Sequence, residues 1–412
     1  IAFDADAGNL YAYVNGAVVN SGSPIYTGLT SGPYFPFVTS GDSNTSVACN
    51  FGQRAWTYAP PQGYNALTTK NLPRLAVGSA AAAPNQFFDV ATWTQGASDV
   101  TLTNAGGFQP DFVWIKSRSN AQNHYLMDSV RGTTGLLRSN TTGAESTGST
   151  WITFNSNGFT PSSANTVTNT YTYVGWQWKA GGTAVSNTSG TIASQVSANT
   201  ASGFSVVTYT GTGVNATVGH GLGVAPSMYI CKRRNSTSPW RVYHTSLSYT
   251  TYINLSDSGA SASDSSVWNS APTTSVFGIG TNDMNTNTGT YVAYCWTEVP
   301  GFSKFGSYTG NGSTDGPFVY CGFKPKFVMY KCSSTTGSWI LIDTSRDLYN
   351  PSSTRLLPNT TDTEATGTHN IDILSNGFKI RNTDTNGNTS SATYIFMAFA
   401  GSPFGNANGT AR

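Results

Sequence analysis

The chain has 412 residues, of which only 10% are charged and 13% aromatic, with 44 glycines and a net charge of +2. That length can hold several domains with sizeable cores, and the near-neutral charge gives no electrostatic case for nucleic acid or an anionic membrane. No apolar run approaches a membrane span, so insertion into a bilayer is not expected. Ser, Thr, Asn and Gly must keep the surface wet in place of charge, a mixture typical of β-rich extracellular or virion proteins and unlike disorder.

In chain order, Ile1-Ala-Phe-Asp-Ala-Asp-Ala-Gly8 leads into Leu10-Tyr-Ala-Tyr-Val14, and Asn15-Gly16 is a two-residue hairpin signal. A calcium loop starting at Asp4 would need a bidentate Glu where Asn15 stands, and helical flanks, so Asp4-x-Asp6-x-Gly8 reads as the start of a hairpin. Then come Asn50-Phe-Gly-Gln53, Pro60-Pro61-x-Gly63-Tyr64-x-Ala66-Leu67 and Asn71-Leu72-Pro73. These spaced motifs resemble the second half of a SPRY (B30.2) domain. The resemblance implies a lectin-like β-sandwich over residues 1–73 that binds partners through loops and is not usually enzymatic. Half a sandwich cannot close, so the natural polypeptide is expected to continue upstream of Ile1.

An Ala-rich linker over 74–84 leads to a stretch that occurs three times, as Gly107-Phe-Gln-Pro-Asp-Phe-Val-Trp-Ile-Lys116, Gly221-Leu-Gly-Val-Ala-Pro-Ser-Met-Tyr-Ile-Cys-Lys232 and Gly322-Phe-Lys-Pro-Lys-Phe-Val-Met-Tyr-Lys331. In each copy a Gly and Pro turn precedes an apolar run that fits a buried strand and ends in Lys. Fourteen residues after the proline stand His124, Trp240 and Trp339, and eighteen after it stand Asp128, His244 and Asp343. The register defines an internal repeat of roughly 100 residues, with modules at 85–181, 203–299 and 302–404. A second linker, rich in Gly, Ser and Thr, covers 180–203, with one strand expected within 191–196. No helical period persists anywhere. The expected fold class is all-β: a partial SPRY-like sandwich followed by three related β-sandwich modules.

His220-Gly-Leu-Gly-Val-Ala-Pro226, Lys232, Trp240-x-Val-Tyr-His244 and the Ala180-Gly-Gly-Thr-Ala-Val-Ser-Asn-Thr188 linker are similar to a module in tail and fibre proteins of bacteriophages. With the SPRY-like part, the resemblance covers nearly the whole chain. It implies a virion component, made in the host cytoplasm and carried on the extracellular particle. Other virion proteins, and a host-surface glycan or protein receptor, are the implied partners. Homo-oligomerisation, as a trimer in many fibres, is implied by the resemblance alone, since no heptad seam is present.

The residues themselves offer little chemistry. Of three Glu, Glu145 and Glu364 share one repeat position, inside Asn-Thr-Thr-x-x-Glu, where a loop carboxylate fits better than a catalytic acid. Asp128 with Arg131, and Asp343 with Arg346, read as capped turns with an ion pair. His124, His220, His244 and His369 are scattered, without triad or metal spacing, and Arg233-Arg234 reads as a solvated turn. The five cysteines form no disulfide framework or zinc pattern and read as small buried hydrophobes. No catalytic residue, metal or cofactor is expected. Trp176, Trp178, Tyr291 and Trp296 alternate as core strand residues. Trp93, Trp240, Trp268 and Trp339 are the candidate ligand-binding aromatics, because an exposed ring can meet the C–H face of a sugar while Asn and Asp align hydroxyls. The sequence thus points to a non-enzymatic attachment protein. A head-decoration or scaffold protein, a secreted adhesin and a polysaccharide-degrading tailspike are the alternatives, the last requiring a carboxylate pair in a groove.

Overall fold

A computed structural model of the chain describes residues 1–4, 7–29, 49–50, 56–61, 64 and 83–401. The chain divides into two units, Ile1–Arg74 and Leu75–Arg412. In the first, Ala2–Asp4 (β1) pairs with Asn9–Tyr11 (β2), and Tyr13–Val14 (β3) with Ala17–Val18 (β4). Asn15 and Gly16 turn the second hairpin with φ of 50° and 83°, the left-handed pair of a type I′ turn. Most of the remaining SPRY-like motif and of the Ala-rich linker lies outside the described residues, as does the end of the third repeat beyond 401.

In the second unit the repeats share one plan. The first has Phe88–Thr94 (β5), Leu102–Thr103 (β6), Phe112–Ser117 (β7), Tyr125–Asp128 (β8), Ile152–Asn155 (β9), Gly158–Pro161 (β10) and Thr172–Trp178 (β11). The second has Val185–Asn187 (β12), Ser194–Asn199 (β13), Phe204–Thr210 (β14), Ala216–Gly219 (β15), Met228–Arg233 (β16), Arg241–His244 (β17), Thr251–Asn254 (β18), Ala262–Ser263 (β19), Val276–Ile279 (β20) and Thr290–Trp296 (β21). The third has Ser303–Thr309 (β22), Phe318–Tyr320 (β23), Pro325–Cys332 (β24), Ile340–Asp343 (β25), Ile371–Leu374 (β26), Gly377–Ile380 (β27) and Thr393–Ala400 (β28). The large sheets run β5-β11-β7-β8, β14-β21-β16-β17 and β22-β28-β24-β25, so the last strand of each repeat lies between the first strand and the signature strand. Small sheets β6-β10-β9, β15-β20 and β23-β27-β26 complete the repeats.

Residues 180–203 are not a plain linker. Their strands β12 and β13 extend the second large sheet beyond β14, and with β18 and β19 at its other edge the sheet has eight strands; Ser194 and Val196 alternate inward where β13 pairs with β14. Among the described residues every strand pairing is antiparallel apart from one isolated bridge, Ile192 to Val218. No α-helix occurs among them, and no helix is long and apolar enough to cross a membrane. The architecture is an all-β, multi-sheet, sandwich-type one.

Each large sheet buries both faces. One face packs on its small sheet, with a stacked aromatic pair at the equivalent place in all three repeats: Trp93–Tyr173, Tyr209–Tyr291 and Tyr308–Tyr394, at 5.3, 4.9 and 4.9 Å between ring centroids. The hydroxyls of Tyr173, Tyr291 and Tyr394 each accept from the backbone N–H five residues earlier, Thr168, Thr286 and Thr389. Glycine before Phe159 and Phe378 is a steric requirement, since a Cβ there would collide with the carbonyls of Leu102 and Val319 on the neighbouring strand.

The opposite faces of the large sheets meet in one core that runs through all three repeats. Trp178 of the first repeat lies against Phe88 and Phe112 of its own repeat, Trp296 of the second, and Phe327 and Phe399 of the third, at centroid distances of 5.0 to 6.1 Å. Because one side chain contacts rings from every repeat, the described part of the second unit is expected to unfold as one body. Calorimetry should give a single transition for it, with equal calorimetric and van't Hoff enthalpies. Trp178→Ala should remove about 3–5 kcal/mol of stability, as loss of a large core aromatic does. Separate transitions for the repeats would contradict a shared core.

Candidate functional site

The polar positions that recur between the repeats are spent on joining one repeat to the next. Lys116, Lys232 and Lys331 are fully buried near the ends of their signature strands. Their ammonium groups donate across repeats to Thr361 O, Thr142 O and Gly259 O, at 3.2, 3.1 and 2.8 Å. The order is cyclic: the first repeat reaches the third, the second reaches the first, and the third reaches the second. Burial lowers the pKa of each lysine to about 8.

The positions fourteen residues after the signature proline repeat the cycle. Trp240 and Trp339 donate their indole N–H to Arg138 O and Asn254 O, both at 2.8 Å. His124 donates from Nε2 to Leu357 O at 2.9 Å, and its Nδ1 accepts from Trp114, which fixes the neutral tautomer. Burial, then the nearby Lys116, holds the His124 pKa well below the ordinary imidazole value.

The positions eighteen residues after it explain a substitution in the second repeat. Asp128 accepts the Tyr294 hydroxyl at 2.8 Å, and Asp343 accepts the Trp176 indole N–H at 3.0 Å. The residue equivalent to Trp176 and Tyr294 in the third repeat is Met397, which faces Met329 as Trp176 faces Trp114. Methionine has no proton to give, and the second repeat has His244 in place of Asp, bonded to the residue next to Met397. His244 instead donates from Nε2 to Phe396 O at 3.0 Å, while its Nδ1 accepts the Ser246 N–H. Burial lowers its pKa to about 4, so it stays neutral.

Carboxylates close the joints. Glu145 binds Arg131 of its own repeat at 2.6 Å and Arg234 of the second at 2.8 Å. Glu364 binds Arg346 of its own repeat at 3.0 Å and Arg118 of the first at 2.8 Å. The remaining joint has no carboxylate at this position; Ser261 donates from N–H and hydroxyl to Ser333 O. Arg234 is therefore an inter-repeat partner and not part of a solvated turn. His369 is also internal, contacting Asp384 at 2.8 Å and Thr368 at 2.7 Å. Four cysteines, Cys231, Cys295, Cys321 and Cys332, are buried free thiols.

The four tryptophans chosen as sugar platforms have no free face. Trp240 and Trp268 are fully buried, Trp339 is 1% exposed and Trp93 9%. Trp93 stacks on Tyr173 and bonds Gln95 at 3.0 Å, and Trp268 packs edge-on to Tyr229 at 4.9 Å. Trp93 lies within β5, and Trp240 and Trp339 serve as struts between repeats.

The repeats differ where none of these contacts is needed. On the outward face of the first small sheet stand Thr101, Thr103, Thr160 and Thr153. The same register positions in the third repeat are Phe318, Tyr320, Lys379 and Asp372. Phe318 is 45% and Tyr320 62% exposed. Within 83–401, the exposed large aromatic side chains are Tyr249, Phe318, Tyr320 and Tyr349, so three of them fall in the third repeat. Tyr349 belongs to a local insertion. Asp128 and Glu145 are 17 residues apart, as are His244 and Ser261, but Asp343 and Glu364 are 21 apart. The longer loop is stapled to β26 by the Asn350 amide, which bonds both Ile373 O at 2.9 Å and Ile373 N–H at 2.8 Å. Asp347 accepts the Ser353 N–H at 2.7 Å, and Leu348 and Tyr349 are left 75% and 81% exposed.

Beside this loop is an open cleft of about 420 Å³ lined by Thr314, Asp315, Pro351, Asn370, Asp372 and Arg381. Arg381 bridges Asp372 at 3.0 Å and Asp315 at 3.4 Å, and Lys379 holds Asp315 at 2.9 Å. The Lys379 hydrogen bond and charge keep the Asp315 carboxyl below the ordinary carboxylate range. Among the described residues no group of three or more His, Cys, Asp or Glu could hold a metal ion.

Fold and site together define, in the second unit, three β-sandwich-type repeats whose contacts follow a cyclic order, with one decorated face. Over residues 83–403 the chain matches the model of a domain of unknown function, DUF7483, and it belongs to that family. No curated protein and no solved structure matches it.

Two measurements test the joints. His244→Asp would put a carboxylate beside Phe396 O with no donor from Met397, and should remove about 3 kcal/mol or more, as an unpaired buried charge does. Met397→Trp in the same chain restores a donor, and a double-mutant cycle should show favourable coupling of about 1 kcal/mol or more. The pH dependence of denaturant midpoints is the second. The unfolded chain binds protons that the folded lysines release above pH 8, so stability should rise from pH 8 to about 9.5. Replacing Lys116, Lys232 and Lys331 by Met should flatten that rise. On the acid side, the neutral His244 contributes fully above about pH 6.5, and this contribution should be lost as pH falls toward 4.

Proposed function

We propose that the chain is a non-enzymatic structural protein of a bacteriophage virion, a fibre or fibre-like component that attaches to the host surface. In this reading a SPRY-like sandwich precedes three related modules, and adhesion comes from weak contacts multiplied by the copies carried on the particle. The resemblance of the His220–His244 segment and of residues 1–73 supports it. The observation that carries it is the internal comparison: three copies share one scaffold, and only the third sets exposed aromatic rings beside a charged cleft. Threonines at those positions suffice for the fold in the first repeat, so the aromatic and charged residues are available for binding.

The cleft favours binding over glycan cleavage. A general acid needs a carboxyl held protonated near neutrality, whereas Lys379 drives Asp315 the other way. Saturable binding of the purified chain to intact candidate host cells is the test, with competition against virion adsorption. Phe318→Ala with Tyr320→Ala should weaken binding tenfold or more, and no shortened polysaccharide should be released. Binding only to other virion proteins would replace attachment by a head-decoration or scaffold role.

A further inference from the structure

We infer that the outer face of the third small sheet binds a neutral oligosaccharide, laid over Phe318 and Tyr320 with one sugar residue in the cleft between Asp315, Asp372 and Arg381. The inference rests on the attachment reading and adds the ligand class. Phe318 and Tyr320 are alternate residues of edge strand β23 and point to the same face, roughly 6.8 Å apart along the strand. Exposed rings so placed offer apolar platforms for the C–H faces of successive sugars. Lys379 lies next to Phe318 across the ladder, and Asp372 next to Lys379, so the rings run directly into the polar cleft.

Charge selects the class. The face carries two acids, Asp315 and Asp372, and two bases, Lys379 and Arg381, tied to each other by ion pairs. Such a balanced set exerts no net pull on an anionic polymer. It does present donors and acceptors side by side, which vicinal hydroxyls, themselves donors and acceptors, can match. The guanidinium holds both carboxylates before any ligand arrives, so little ordering is left to binding. A cleft of about 420 Å³ falls in the common small-molecule range of roughly 300–1,000 Å³.

The test uses the full chain and titrates hexasaccharides from dextran, cellulose and chitin, with a polygalacturonate hexamer as the acidic probe. The knock-out variant carries the first repeat's own residues, Phe318→Thr, Tyr320→Thr, Lys379→Thr and Asp372→Thr, and the control is Thr101→Ala. The inference expects saturable binding of at least one neutral chain, weakened tenfold or more in the knock-out and unchanged in the control. Asp372→Asn alone should also weaken it, because the Arg381 bridge is broken. Binding of the acidic hexamer alone, binding indifferent to the knock-out, or no saccharide binding overturns it. So does a change of native mass in the knock-out, which would assign the face to a second copy of the chain. The same proteins applied to cells separate the two claims. If the knock-out loses cell binding while no saccharide binds, attachment stands and the saccharide falls. If a neutral saccharide binds and no cell does, the saccharide stands and attachment falls.

Discussion

Trp178 stands where three sheets meet, and the second unit depends on that convergence. A four-stranded antiparallel sheet can leave one face in water, but these three cannot. Their second faces carry Phe112, Trp176 and Trp178, then Met228, Tyr294 and Trp296, then Phe327 and Phe399, which are large and wholly apolar or nearly so. Among the described residues each face is covered by the other two repeats, so no repeat buries its own core alone. The small sheets, by contrast, are local solutions built within each repeat around the stacked aromatic pair.

The polar joints set orientation more than they add stability. Buried lysines facing carbonyls and arginines facing Glu145 or Glu364 give up hydration on closure, and such pairs roughly break even against apolar packing. Their geometry is directional, however. Each loop must present the right carbonyl to the lysine, the indole or imidazole, and the strand end of its neighbour, so a slip in sheet docking would strand several buried groups together. The joint with Ser261 and Ser333 meets the same backbone pairing without a carboxylate–arginine pair, which shows that hydrogen-bond placement is the common requirement.

Much of this was legible in the sequence, and the illegible part has a clear physical cause. The signature strands, the offsets to Trp240 and Asp128, and the Asn15-Gly16 turn are local patterns, and local patterns report strand and turn placement well. What Lys116 or Glu145 touches is set by another repeat, 245 residues away for Thr361 and 89 for Arg234, and single-residue types do not name their partner. That His244 stands where its counterparts are Asp128 and Asp343 is legible in the sequence, but its partner, the Phe396 carbonyl of another repeat, is not. Trp240 and Trp339 follow loops in sequence, and nothing local to them announces that their indoles bond carbonyls of another repeat. The informative signal was present in the spacing: the interval from Asp343 to Glu364 exceeds its counterparts by four residues, and the insertion carries Leu348 and Tyr349.

Joining the three copies in one chain frees them from symmetry. In a ring of identical subunits, a loop insertion or an aromatic patch appears three times or not at all, and any strain it brings is tripled. Here the Asp347–Ser353 loop and the Phe318–Tyr320 edge occur once, while the first repeat keeps threonines and the second keeps a two-stranded small sheet. One chain can therefore hold two copies as scaffold and let the third differ, so that a substitution on its outer face carries no cost in the other two.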